Sequence, residues 1–165
     1  MKNIHICSLP EMISLLQNKQ IDLESSFAII SSSYPLNAEH RVVSLMNHVA
    51  CTYSDIDFDF HSEGLSLDAA AEFAEDIKRR DKIKDWYFVS DRGVRRSAAI
   101  CCAALRYWGQ CEDEMAIWSD PEREPNVSVY IRLTQALGVP VGNIELRQRI
   151  YANHSANKAA VYDSV

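Results

Sequence analysis

Trp86-Tyr87-Phe88-Val89 is a run of four large apolar residues closed by Ser90. A strand whose successive side chains are all apolar has no face to offer to water, so the run reads as an interior strand of a sheet covered on both sides. Sheets of that kind are parallel, and parallel neighbours need helical crossovers between them. The remainder of the chain supplies the crossovers. Residues 3 to 7 read as a short strand. Ser8-Leu9-Pro10-Glu11 then opens a helix, with Ser and Glu spaced as a capping box and Pro inside the first turn. Met12, Ile13, Leu15 and Leu16 give that helix an apolar face.

Residues 27 to 33 read as a buried strand, 37 to 47 as a short helix, and 48 to 53 as another strand. Ser66 caps a long helix carrying Ala69, Ala70, Phe73, Ala74 and Ile77. Past Ser90, a tight turn containing Gly93 leads into a helix of small residues over 96 to 108. Two more helices follow near 112 to 118 and 127 to 137, and residues 142 to 165 read as a helix followed by a polar tail. The pattern predicts a three-layer α/β fold, a parallel sheet of about four or five strands flanked by helices. Ligands in such sheets bind beyond the C-terminal ends of the strands.

Composition excludes several classes. At 165 residues and 47% hydrophobic, the chain is one domain in size with material for a real core. No apolar run approaches the ~20 residues that span a bilayer. The first residues show no secretion signal, so a cytoplasmic location is expected. The five cysteines (Cys7, Cys51, Cys101, Cys102, Cys111) follow neither a zinc nor a disulfide spacing, and they read as reduced structural thiols with no metal site. A net charge of -6 disfavours nucleic acid as a partner. Residues 78 to 96 nevertheless hold eight Lys and Arg against three Asp, a window of +5 in a remainder of -11. Lys78 to Lys84 suit a helix C-terminus; Arg92, Arg95 and Arg96 need another account.

That account lies in Val89-Ser90-Asp91-Arg92-Gly93-Val94-Arg95-Arg96-Ser97. A buried strand ends at Ser90 and a helix opens near Arg96. A strand–loop–helix joint aims backbone N–H groups into one concavity, and the helix N-terminus behind it favours an anion. Gly93 permits the tight turn and a close backbone approach. Arg96 offers a planar fork of donors suited to phosphate.

The segment resembles the signature loop of cysteine-dependent protein tyrosine and dual-specificity phosphatases, Cys-x-x-Gly-x-x-Arg-Ser/Thr, with Gly93, Arg96 and Ser97 on its Gly, Arg and Ser. Asp120-Pro121 and Pro125-Asn126-Val127, followed by a helix containing Tyr130, match a late Asp-Pro…Pro-Asn segment of the same superfamily. Over residues 3 to 138 the chain is similar to small bacterial dual-specificity-like members. The resemblance implies a protein tyrosine phosphatase-like fold over 1–140, with 141–165 as a C-terminal helical extension or tail. It implies a phosphorylated protein (phosphotyrosine or phosphoserine type) or other phosphomonoester as substrate, and no cofactor. It places the phosphate on Asp91, Arg92, Gly93, Val94, Arg95 and Arg96. Arg96 would hold the equatorial oxygens, and Ser97 would assist the leaving thiolate when the phospho-enzyme is hydrolysed.

The family's nucleophilic Cys is Ser90 here. A thiol with a reference pKa of about 8.5 is readily ionised by such a loop. A hydroxyl is not; it needs an adjacent base, and the loop supplies a positive field instead. Turnover is therefore expected to be mostly lost while the phosphate cradle stands. Two explanations remain open: a Cys-to-Ser substitution that traps substrate, or a natural pseudophosphatase that binds a phosphoresidue or phosphoinositide without hydrolysing it. A nucleotide-binding α/β domain is excluded for want of Gly-x-Gly-x-x-Gly and of a loop Lys.

The family's general acid is an Asp after the preceding strand. Among Asp55, Asp57 and Asp59, Tyr53-Ser54-Asp55-Ile56 fits best, which makes Asp55 first and Asp57 second. The neighbouring carboxylates would help it hold a proton. Ser97 competes with an ordinary helix-cap reading. Asp91 either orients Arg96 or faces solvent, and solvent is preferred. Arg92 and Arg95 either form a positive rim that favours an acidic or polyanionic phosphosubstrate or are ordinary surface. His61 has no visible partner.

Overall fold

The structure is a computed structural model, and it describes residues 1–22, 24–31, 48–52 and 65–163. The helix expected over 37 to 47 and the acidic loop with Asp55, Asp57, Asp59 and His61 lie outside the described residues. Four parallel strands form the sheet: β1 (Asn3–Ser8), β2 (Ser26–Ser31), β3 (His48–Thr52) and β4 (Asp85–Ser90). Their spatial order is β1-β4-β2-β3, so β4 lies inside the sheet, as its apolar run requires. Ser90 ends β4 between Ser8 of β1 and Ile30 of β2.

The helices are α1 (Leu9–Gln17), α2 (Leu67–Arg79), α3 (Arg96–Tyr107), α4 (Cys111–Trp118), α5 (Val127–Leu137) and α6 (Asn143–Asp163). Local chemistry fixes several ends. Ser8 and Glu11 close a reciprocal capping box on α1. Ser66 Oγ accepts from Ala69 N at 3.1 Å, and Asn126 Oδ1 accepts from Val129 N at 3.0 Å. Gly138 stops α5 in the left-handed conformation, φ 82°.

Alternate residues of β4 feed opposite faces of the sheet. Tyr87 and Val89 pack with Cys7, Phe27, Ile29 and the α1 residues Leu9 and Met12. Trp86 and Phe88 pack with Ala28 and Ile30 under α2, α3 and α5. This is the expected three-layer α/β arrangement. Helix α3 is buried from Arg96 through Leu105, and its small residues Ala98, Ala99, Ala103 and Ala104 let sheet and neighbouring helices close around it. Among the described residues, no helix is long and apolar enough to cross a membrane.

Beyond Gly138 the chain forms one long helix from Asn143 to Asp163. Leu146 of helix α6 packs against the core, and polar groups tie the helix to its neighbours. Arg149, only 5% exposed, donates from Nε and Nη2 to the two oxygens of Glu114 on α4 at 2.6 and 3.0 Å. Glu114 is fully buried and also accepts from Tyr130 Oη of α5 at 2.5 Å. Burial and then this bond push the Tyr130 phenol up, and the bond to Glu114 holds the Arg149 guanidinium above its ordinary range.

Candidate functional site

The chain leaves β4 at Ser90 and re-enters regular structure at Arg96, the first residue of α3. Three features of this loop follow from its sequence. Gly93 has φ 72°, and a Cβ there would lie 2.6 Å from Ser8 N and 2.7 Å from Cys7 C. The loop therefore rests directly on the end of β1, and only glycine permits it. The N-cap residue Arg95 makes no side-chain capping bond to α3, and no acidic residue stands in the helix's first turn. The positive end of a buried helix favours an anion there.

The third feature is the direction of the peptide planes. Residues 123 to 126 hold three successive loop carbonyls. Arg123 Nη1 donates to Gly93 O at 2.5 Å, Glu124 N to Val94 O at 3.3 Å, and Asn126 N to Arg95 O at 3.1 Å. In a trans peptide the carbonyl and the next N–H point opposite ways. The N–H groups of Val94, Arg95 and Arg96 therefore point away from residues 123 to 126. Successive amides turned to one side in this way suit an oxyanion.

Side chains complete the loop. Ser90 is 2% exposed; its Oγ donates to Ser97 Oγ at 3.0 Å and accepts from Gly93 N at 3.2 Å. Ser97 is fully buried inside α3, past the N-cap position held by Arg95, so the helix-cap reading is corrected: its hydroxyl accepts from Ser90 across the loop. Arg96 is buried, and its Nη2 donates to Asp91 Oδ2 at 2.6 Å. The preference for a solvent-facing Asp91 is thereby corrected: the carboxylate turns back on Arg96 because a charge-assisted bond outweighs its hydration. Arg92 is exposed at the rim. Arg95 is half-buried, with Nε 3.7 Å from Glu124 Oε2.

Cys101 and Cys102 are buried in α3, and burial holds both thiols well above their ordinary range. The Cys7 thiol is pushed up to about 12, first by burial and then by Glu11, against the opposing Arg123.

Sequence reading missed Arg123, which lies inside the Asp-Pro…Pro-Asn segment it had singled out. The guanidinium also reaches Ile6 O at 3.5 Å, tying the loop to β1. It missed Glu114, Arg149 and Asn153 as well; the last donates to Arg123 O at 2.7 Å. Glu145, Arg149 and Asn153 at four-residue intervals along one helix were the available signal.

Sheet, loop and helix together make this a phosphatase-type α/β fold. Among solved structures, a crystal structure of the phosphatase PTPMT1 in complex with PI(5)P matches with a TM-score of 0.51 at 13% identity, covering 89% of this chain and 94% of that one. No protein-family model and no curated protein sequence matches the chain.

Proposed function

We propose that the loop from Ser90 to Ser97 binds the phosphate of a phosphomonoester, carried by a phosphorylated protein or a related phosphorylated ligand. The outward fixing of the Gly93, Val94 and Arg95 carbonyls carries this reading, since it turns three successive N–H groups to one side over the N-terminal end of a buried helix. Arg96, steadied by Asp91, closes the cradle with its two-pronged donor set. The phosphoinositide held by PTPMT1 makes a phospholipid headgroup one candidate carrier beside a phosphoprotein.

With Ser90 in place, the protein binds and does not turn over. Among the described residues, the hydroxyl meets Ser97 Oγ and Gly93 N, neither of which is a base. In Ser90→Cys, the thiolate attacks phosphorus and the bond to the leaving oxygen breaks, with Asp55 supplying its proton. Water then cleaves the sulfur–phosphorus bond while the Ser97 hydroxyl donates to the departing thiolate. Under the alternative, a natural binding module, the thiol restores nothing.

The test has two arms. Calorimetric titration of the parent with inorganic phosphate should show one site, lost in Arg96→Ala and sharply weakened in Arg96→Lys, because an ammonium cannot make the paired contact. An unchanged affinity in Arg96→Lys defeats the proposal. Ser90→Cys assayed on an aryl phosphate separates a trapped phosphatase, which gains activity, from a native binding module, which does not.

A further inference from the structure

We propose that helix α6 is a positioning element of the phosphate loop, acting through Asn153 and Arg123; the proposal rests on the loop's reading as a phosphate site. Helix α6 is docked by a polar stripe at four-residue spacing. Glu145 accepts from Arg106 Nη2 at 2.9 Å, Arg149 holds Glu114, and Asn153 donates from Nδ2 to Arg123 O at 2.7 Å. Asn157 Nδ2 supports Asn153 by donating to its Oδ1 at 3.3 Å. Asn153 is 6% exposed, so its amide is committed to this bond.

Arg123 is the other half of the relay. Its main chain takes the bond from α6, and its side chain gives bonds to Gly93 O in the loop and to Ile6 O in β1. Residues 119 to 126, between α4 and α5, form no regular element, and a turn from Asp120 to Arg123 is their internal hydrogen bonding. Such a segment takes its position from what holds it at each side. Asn153 holds it at the main chain of Arg123, and the loop carbonyls are held in turn. An apolar seam tolerates sliding; a hydrogen bond between two fixed groups does not. Docking of α6 therefore sets the direction of the loop amides that face the phosphate.

The experiment uses the full chain with Asn153→Asp and Asn153→Leu. The first keeps shape and the acceptor for Asn157, but at neutral pH it loses the donor. The second removes polarity without adding charge. Amide hydrogen exchange is followed in the unliganded protein, and phosphate affinity is measured alongside. Exchange at Glu124 and Asn126, whose N–H groups hold the loop carbonyls of Val94 and Arg95, should rise about tenfold, the worth of one buried hydrogen bond, while interior amides of β4 and α3 keep their rates. Phosphate affinity should fall by a comparable factor. Acidification should return protection at these two amides in Asn153→Asp, after correction for intrinsic rates, because the protonated carboxyl donates again; Asn153→Leu should show no such return. Unchanged exchange at these amides in both variants, or these amides and the core accelerating equally, overturns the proposal. If the parent binds no phosphate, the phosphate-site reading falls, and this proposal, which rests on it, falls too. Exchange at Glu124 and Asn126 then reports only whether α6 braces a loop of other use.

Discussion

At Gly93 one missing Cβ decides whether the loop can lie on β1. With φ 72° and main-chain atoms of Cys7 and Ser8 at 2.6–2.7 Å from any Cβ, Gly93→Ala must move backbone. We expect it to lower unfolding free energy by about 2 kcal/mol or more, left-handed strain alone costing ~1–2 kcal/mol. The midpoint of urea unfolding measures it. Cys7, on the same stretch of β1, makes a pH prediction. Its thiol stays protonated in the folded chain up to about 12, whereas an unfolded thiol ionises near its ordinary value of 9.0. Between those values the unfolded state holds fewer protons, so stability falls as pH rises. Each such thiol contributes a slope approaching about 1.4 kcal/mol per pH unit. Cys7→Ala should flatten part of that alkaline loss in unfolding curves taken from pH 8 to 11, and an unaltered slope would contradict the assignment.

Helices α4, α5 and α6 meet at a single carboxylate. Glu114 accepts from Tyr130 and Arg149, with Arg106 Nη1 3.9 Å away. Three cationic or hydroxyl partners around a fully buried carboxylate stabilise it only as a set. Glu114→Gln leaves the Arg149 guanidinium buried against a neutral amide and should cost about 3–5 kcal/mol. Tyr130→Phe, which removes one neutral donor, should cost about 1 kcal/mol. Thermal and urea unfolding of the two variants checks the ranking. Equal effects would mean that the phenol, not the guanidinium, anchors the cluster.

The parallel sheet brings distant parts of the molecule to one edge. The chain leaves β3 at its C-terminal end, the end of the sheet at which β4 delivers Ser90. Asp55 follows β3 by three residues in the sequence. In a Ser90→Cys background, we therefore expect Asp55→Asn to slow hydrolysis of substrates with poor leaving groups by ~10² or more, the usual worth of a placed proton donor. Aryl phosphates with good leaving groups should suffer less, and the alkaline limb of the pH–rate profile should vanish. Should Asp57→Asn show that pattern instead, the acid is two residues further on.

Local chemistry made much of this protein legible from its sequence. The apolar run ending at Ser90 required an interior strand, the Ser8 and Ser66 caps marked helix starts, and Gly93 with Arg96 and Ser97 marked the loop. Each is a statement about neighbours within a few residues, where backbone sterics and side-chain period act directly. Tertiary structure decided the rest. Asp91 turned from solvent to Arg96, and Ser97 left the helix cap for Ser90, because each found a partner five to seven residues away across a folded loop. The bonds from Arg123 to Gly93 and from Asn153 to Arg123 join residues thirty positions apart. No period or spacing encodes such pairs; they exist because the packed helices bring a carbonyl that must be satisfied to a donor that can reach it.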